Sequence, residues 1–498
     1  MLLRPSLDDH RSIAHDLGKI IGVVAMAAIV PLIWAVIRGE WQAASHFLLL
    51  IGLTTAIAAA SDRLRPDPSR AVDWSHGMVV ASLTWLLVPI FATVPLWGSG
   101  HYSRWIDSYF DAMSGITTTG LALIQDLDHL PESVNLWRHI LQFLGGQGIV
   151  LAALLFLAGS GALSLFEGEG REHRMFPNVR STARFIWLVS AAHAVLGIGI
   201  LTIDGLLVQG FGLRRSFFHA TTIFMAAFDT GGFSPMSTSI AYYNSPIFEA
   251  IVAVLMVAGA MSFGLHHAIW NRRKGITRNI EVRTFAFTVA VTIFVTILGL
   301  ALIGAVGELY PLVRVGLFHA LSAHTGTGFS TVSTAELASW SGLAFAGIAI
   351  AMALGGMSSS TAGGVKSLRI GLALRAMKDT VREALLPDGA VVSRTFYQHG
   401  PQRMNPALIR SVFAISLLYV ALYLFGAAVA LGYGYDLAPA LFESISASAA
   451  VGLSVGVVAP DMPVVLEIVY ILQMWVGRLE FIAIAALLGF AASTVFGK

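Results

Sequence analysis

The sequence predicts an all-α polytopic membrane protein with short re-entrant loops set between spanning helices. Three observations carry that prediction. The 498 residues are 56% hydrophobic and 12% charged, whereas a soluble domain carries about 25% charged residues. The apolar residues gather in ten stretches of spanning length. Between those stretches one small polar phrase recurs four times.

A helix crosses the hydrocarbon with roughly 20 apolar residues. The candidate spans are 20–37, 42–61, 77–97, 137–157, 186–208, 246–270, 284–306, 342–377, 411–432 and 463–496. The eighth and tenth are long and interrupted. The basic residues set the orientation. Of the 31 Lys and Arg, Arg38, Arg104, Arg138, Arg214, Arg215 and Arg314 fall on one side, Arg478 lies within a span, and all the others fall on the opposite side. That excess marks the cytoplasm, so the reading places both termini inside. The opening "MLLRPSLDDHRSIAHDLGK" carries acids and no small-residue cleavage site, so no removed signal peptide is expected.

The four phrases lie between spans three and four, five and six, seven and eight, and nine and ten. They read "YFDAMSGITTTGLA", "FFHATTIFMAAFDTGGFS", "LFHALSAHTGTGFS" and "LFESISASAAVGLS", and all fall on the outer side. Ten residues before Gly120, Gly328 and Gly452 stand Phe110, Phe318 and Phe442; six before stand Ser114, Ser322 and Ser446. The second copy departs, since Gly232 has Thr222 at minus ten and Phe218 four residues further back. Four residues are about one helical turn, so the second short helix is expected to be one turn longer. A segment of about ten residues cannot span, so it enters and turns back. Non-helical backbone at membrane depth persists only where protein buries it or where it lines a wet cavity. Glycine permits the backbone angles that aim carbonyls inward, and a ring of carbonyls replaces the hydration shell of a cation. One such loop cannot encircle an ion; four can.

At these residues the chain resembles the Trk/Ktr/HKT superfamily of K+ transporters, most closely the bacterial TrkH/KtrB type of membrane subunit. The resemblance covers about residues 79–496 and includes "GGMSSSTAGGVKSLR" and "MWVGRLE". It implies four helix–pore loop–helix repeats about a pseudo-fourfold axis behind an N-terminal two-helix hairpin. The corresponding segments are 1–70 for the helix pair, 71–170, 171–280 and 281–385 for repeats one to three, and 386–498 for a cytoplasmic linker with repeat four. It also implies a K+ filter at Thr117, Thr118, Thr119 and Gly120; Asp229, Thr230, Gly231 and Gly232; Thr325, Gly326, Thr327 and Gly328; and Ala449, Ala450, Val451 and Gly452. Glycine at the last place of all four loops goes with K+ in that family, and serine in the first with Na+. The second loop departs from the family's Asn-rich phrase by carrying Asp229, and the fourth lacks hydroxyl residues before its glycine. The ring is therefore chemically asymmetric. A carboxylate at 229 beside a filter would strengthen the field on cations.

Two features suggest a gate. Span eight is broken by Gly355, Gly356, Ser358, Ser359, Ser360, Thr361, Gly363 and Gly364, which with Met357 and Ala362 make a poor helix. The resemblance implies an intramembrane loop beneath the filter that blocks or opens the pore. Lys366 and Arg369 follow, at an expected cytoplasmic edge. Arg478 lies mid-span, where a charge costs about 3 kcal/mol or more unless it meets a cavity or partner. The resemblance turns it toward the ion path; the alternative is a buried pair with Glu443 or Glu467. His219, His319 and His324 are expected to pack or hydrogen-bond rather than touch the ion. The mixed charges Glu167, Glu169, Arg171, Glu172 and Arg174 suggest a solvated loop, and 379–405 a cytoplasmic linker.

Other classes are poorly supported. A net charge of +2 does not point to nucleic acid. Absent cysteine excludes disulfides and thiolate chemistry. No HExxH or Gly-x-x-x-x-Gly-Lys-[Ser/Thr] motif occurs, so neither an enzyme nor a nucleotide site is expected in this chain. The expected cargo is K+, moved across a bacterial cytoplasmic membrane; the alternative is a sodium-permeable or weakly selective cation transporter of the same fold. The resemblance further implies a homodimer on a cytosolic nucleotide-binding ring of the TrkA/KtrA kind.

Overall fold

Two antiparallel helices open the chain, α1 (Leu7–Arg38) and α2 (Trp41–Ser61). The computed structural model describes residues 5–64, 74–148, 179–304, 307–340, 342–387, 395–398 and 400–497. Helix α1 begins well before the apolar stretch. Ser6 caps it in a capping box, its hydroxyl accepting from the Asp9 N–H while Asp9 accepts from the Ser6 N–H at 2.7 Å. The polar first turns therefore continue the span instead of preceding it. Gly39, at φ 71°, ends the helix in the left-handed region and turns the chain into α2.

Four units follow, each a long helix, a short helix and a returning helix. The first holds α3 (Trp74–Gly98), α4 (Trp105–Ile116) and α5 (Glu132–Gln147). The second holds α6 (Val179–Leu207), α7 (Leu213–Phe228), α8 (Pro246–Ala260) and α9 (Phe263–Trp270). The third holds α10 (Ile280–Leu302), α11 (Leu309–Thr325), α12 (Thr334–Ser339), α13 (Gly342–Leu354) and α14 (Ser367–Ala384). A hairpin of β1 (Thr395–Tyr397) and β2 (Pro401–Arg403) leads to the fourth: α15 (Pro406–Gly432), α16 (Leu437–Ser448), α17 (Val464–Leu479) and α18 (Ile482–Phe496). The returning helix of each unit packs on the short helix of the next: α5 on α7, α8 on α11, α13 on α16, and α17 back on α4. Helix α18 closes the circuit against α3.

Among the described residues six helices are long and apolar enough to cross a membrane, and two further pairs pass together but are bent. The predicted sixth span is not continuous: α8 and α9 meet at 103°. The tenth breaks as expected, α17 and α18 meeting at 109°. The eighth is two helices around an irregular segment, and α14 runs on to Ala384. The expected linker 379–405 is accordingly shorter, since Asp379 is a buried helical residue and β1–β2 adds a small hairpin to an otherwise helical chain. The predicted fourth span is described only as far as α5 and the residue after it. The boundaries at 70/71 and 170/171, and the charge run from Glu167 to Arg174, lie outside the described residues. Helix α7 has 16 residues against 12 in α4 and α16, but α11 has 17 without any shift in register, so the extra turn is not peculiar to the second copy as expected.

Candidate functional site

Each short helix ends in the same way. With the loop glycine as position zero, the N–H at −1 donates to the carbonyl at −6 in all four copies. These bonds run from Thr119 to Ser114 at 2.8 Å, Gly231 to Ala226 at 2.8 Å, Thr327 to Ser322 at 2.9 Å and Val451 to Ser446 at 3.0 Å. This is a Schellman stop. The residue at −2 is left-handed each time: Thr118 at φ 57°, Thr230 at 50°, Gly326 at 73° and Ala450 at 53°. Three are not glycine, and each such residue costs about 1–2 kcal/mol in that region. Strain shared by equivalent positions marks a geometry imposed by the surroundings.

The four loops meet in a closed ring. A Cβ on Gly120 would lie 2.3 Å from the carbonyl oxygen of Gly231, and one on Gly232 would lie 1.9 Å from that of Thr327. One on Gly328 would lie 1.8 Å from the carbonyl oxygen of Val451, and one on Gly452 would lie 2.3 Å from that of Thr119. Each glycine thus abuts the −1 carbonyl of the next loop, and the fourth returns to the first. Their φ values run from 69° to 94°, so both space and backbone angle require glycine. The helices aim their C-terminal, partially negative ends at this ring, a field that favours cations.

On one side of the ring lies a cavity of about 300 Å³ whose lining includes all four glycines and the +2 residues Ala122, Ser234, Ser330 and Ser454. Five of the six arginines counted with this side pair with acids. Arg38 and Arg214 pair with Glu132, Arg104 with Asp107 and Glu467, Arg138 with Asp111, and Arg314 with Glu249. Arg215 contacts the Tyr242 hydroxyl and the Phe211 ring.

On the other side lies the irregular segment between α13 and α14. The Thr361 hydroxyl donates to the Phe228 and Gly259 carbonyls at 3.2 and 3.0 Å, and lies 3.1 Å from the Thr230 hydroxyl. A Cβ on Gly363 would lie 2.1 Å from the Ala449 carbonyl oxygen. Ser359 is left-handed at φ 54°, Gly355 would crowd Gly363, and Gly356 would crowd Ala362. Ser358 N–H donates to Glu281, Ser360 donates to the Met357 carbonyl, and Gly364 packs on Gly355.

Arg478 bolts this segment to its neighbours. It donates to the Thr361 carbonyl at 2.7 Å, the Gly145 carbonyl at 2.7 Å and the Thr118 hydroxyl at 3.2 Å, and its guanidinium lies 5.4 Å from the Trp85 ring centroid. It lies within the predicted tenth span, which is bent rather than continuous. It stands in the last turn of α17, and Glu480 and Phe481 then take φ values of 54° and 71° to make the bend. The two acids expected as alternative partners are engaged elsewhere: Glu467 with Arg104, and Glu443 with the N–H groups of Val455, Val457 and Val458.

Lys366 and Arg369, expected to snorkel or to meet a partner, meet one: both are buried and pair with Glu480, itself 4% exposed. Removing one member of a buried ionic cluster costs about 3–5 kcal/mol. Glu480→Leu is therefore expected to lower the thermal midpoint of the detergent-solubilised protein markedly, and an unchanged midpoint would remove that role. Asp229 turns its carboxylate to the returning helix of the first unit, where Gln147 donates to it at 2.6 Å and Gly146 packs against it. The three histidines hydrogen-bond as expected: His219 with Tyr243, His319 with Ser330, and His324 with Thr288.

Some residues at the site were not anticipated. Gln142 donates to the Gly231 carbonyl and accepts from the Phe233 N–H at 3.3 Å. Gly145, Gly259 and Gly477 place returning helices directly on the −4 carbonyls of Ile116, Phe228 and Ser448, where a Cβ would come within 1.7–1.9 Å. The only trace of these in the sequence is glycine inside an apolar helix, which also occurs at ordinary helix contacts.

A family model described as TrkH, a cation transport protein, matches residues 44–491. An uncharacterized cation transporter of Methanocaldococcus jannaschii is 30% identical, the match covering 98% of this chain and 97% of that protein. The Trk system potassium uptake protein TrkH of Halomonas elongata is 27% identical over 96% of this chain and 98% of its own. The crystal structure of the potassium transporter TrkH from Vibrio parahaemolyticus superposes with a TM-score of 0.81 at 23% identity, covering 96% of this chain and 98% of that one, and so shares its fold. The chain belongs to the TrkH family of cation transport proteins.

Proposed function

We propose that this chain moves K+ through the ring formed by the loops ending at Gly120, Gly232, Gly328 and Gly452. It is a multi-pass membrane transporter and not an enzyme, and the bacterial cytoplasmic membrane fits it. The observation that carries the proposal is the closed circuit in which every loop glycine abuts the next loop's carbonyl. Such a ring replaces hydration water with main-chain oxygens, and four helix C-termini add a field for cations. Relatives bear the name potassium uptake protein, which favours K+ as cargo. In this reading the four units are pore repeats behind an N-terminal hairpin, the chain crosses ten times, and both termini are cytoplasmic. The segment 355–364 and Arg478 gate the path. The working assembly is a homodimer on a cytosolic nucleotide-binding ring.

Flux from purified protein in liposomes tests the cargo. K+ entry is expected to exceed Na+ entry at equal gradients, measured with and without opposing H+ and Na+ gradients. Equal entry of the two ions would replace this reading with that of a weakly selective transporter.

A further inference from the structure

Nine residues before three of the loop glycines stands a buried hydrogen-bond acceptor. In the first loop it is Asp111, in the third His319 and in the fourth Glu443. Each accepts the main-chain N–H three residues after its glycine. Leu123 donates to Asp111 Oδ1 at 2.7 Å, Thr331 to His319 Nε2 at 3.3 Å, and Val455 to Glu443 Oε1 at 3.0 Å. His319 can accept there because its Nδ1 lies 2.9 Å from the Val315 carbonyl, which fixes the proton on Nδ1.

The second loop lacks both halves of this contact. Its −9 residue is Ile223, which has no acceptor, and its +3 residue is Pro235, which has no N–H. Two side chains of α5, two turns apart, take over. Asn135 donates to the Pro235 carbonyl at 3.0 Å, and Gln142 bonds both the Gly231 carbonyl and the Phe233 N–H. Donor and acceptor are absent together, and a substitute grips the same limb of the loop.

We propose that Asp111, His319 and Glu443, with Asn135 and Gln142 for the second loop, are the positioning residues that fix the width of the ring and hence its preference among monovalent cations. This rests on the reading of the ring as the filter. The main chain around each glycine has neither helix nor sheet to hold it. Its spacing is set by whatever ties the outgoing limb to the short helix. A buried acceptor does this at the +3 N–H of each of the three loops, Glu443 also holding the Val457 and Val458 N–H groups and the Ser454 hydroxyl, and losing it strands N–H groups away from water. None of these residues needs to touch the ion.

The test is the K+ to Na+ permeability ratio in proteoliposomes for Glu443→Leu and Glu443→Gln, with Gly328→Ser measured alongside. Glu443→Leu is expected to lower the ratio about tenfold or more, since it removes the bonds to Val455, Val457 and Val458 together and one buried hydrogen bond is already worth up to about tenfold. Glu443→Gln keeps an acceptor oxygen and is expected to retain most of the ratio. If the two variants fall equally, the role is packing and the proposal is overturned. If Gly328→Ser shifts the ratio and a monodisperse Glu443→Leu does not, the clamp is wrong and the filter stands. If neither shifts it, the filter reading itself fails. Should Glu443→Leu not fold, His319→Leu in the third loop and Asn135→Leu in the second decide the same question.

Discussion

Gly328→Ser is expected to abolish most discrimination between K+ and Na+ and to reduce K+ uptake by about tenfold or more, with the protein still folded. Gly328 is the tightest point of the ring, its would-be Cβ 1.8 Å from the Val451 carbonyl oxygen. No real side chain tolerates that distance, so the loop or its neighbour must move. Its φ of 83° adds strain, about 1–2 kcal/mol for an L-residue in the left-handed region, and 1.4 kcal/mol is already tenfold in an equilibrium. The displaced group is one of the four ring carbonyls, which the proposed filter turns toward an ion, so under that proposal the loss should fall on selectivity before stability. Gly434 separates the two effects. It has a comparable φ of 89° but nothing within 4 Å, so Gly434→Ala carries the strain without the collision. Competitive uptake of K+ and Na+ by both variants, with monodispersity checked in detergent, decides the matter. Parent-like selectivity in Gly328→Ser would remove Gly328 from the filter.

The loops were legible because their chemistry leaves little choice of residue. A ring this tight admits only glycine at its closest points, so glycine recurs at fixed spacing and the repeat shows. The lengths of the short helices were not: the extra turn expected of the second copy alone is matched in the third, where Phe318 keeps the common register. Nor were the bends. The run that becomes α8 and α9 stays apolar through Met261 and Phe263, and a hydropathy pattern has no term for direction. What permits the 103° bend is tertiary: Gly259 sits on the Phe228 carbonyl, and His266 lies 2.9 Å from the Ala258 carbonyl, which holds only a long 3.4 Å bond from the Met261 N–H at the break. In the tenth span the interruption was expected, but not that it falls two residues after Arg478.

Ionic partners were legible only as a shortage of acids within the spans. Sequence spacing could not say that Glu480 leaves the helix and reaches Lys366 and Arg369, because its left-handed φ of 54° is set by the bend. Nor could it connect Asp111, His319 and Glu443. Three residue types share one geometric task, accepting an N–H, and a reading by residue identity treats them as unrelated. The asymmetry expected from Asp229 takes a different form in the structure, because its carboxylate meets Gln147.

Arg478→Ala is expected to raise cation flux several-fold and to weaken its control. The argument begins with position. Arg478 ties together the first loop through Thr118, the returning helix of the first unit through Gly145, and the irregular segment through Thr361. Thr361 in turn touches the second loop through Thr230 and Phe228. The guanidinium therefore sits at the base of the ring, on the side away from the 300 Å³ cavity, and holds the segment against the loops. It acts in two ways that share a sign. A fixed positive charge about 4 Å from a cation opposes it by roughly 4 kcal/mol at an effective dielectric near 20. The three hydrogen bonds also keep the segment seated beneath the ring. Alanine removes both barriers. Lysine restores the charge but not the planar fork that serves several acceptors at once, so Arg478→Lys should fall between parent and alanine. A purely structural Arg478 predicts the reverse order of severity, with poor folding and no rise in flux, because the Thr361 carbonyl would lose its Arg478 bond and the Gly145 carbonyl would keep only the Gly148 N–H at 3.2 Å. Yield, monodispersity and then K+ flux on the same preparations separate the two. A well-folded Arg478→Ala protein with flux at or below the parent's would reject the barrier.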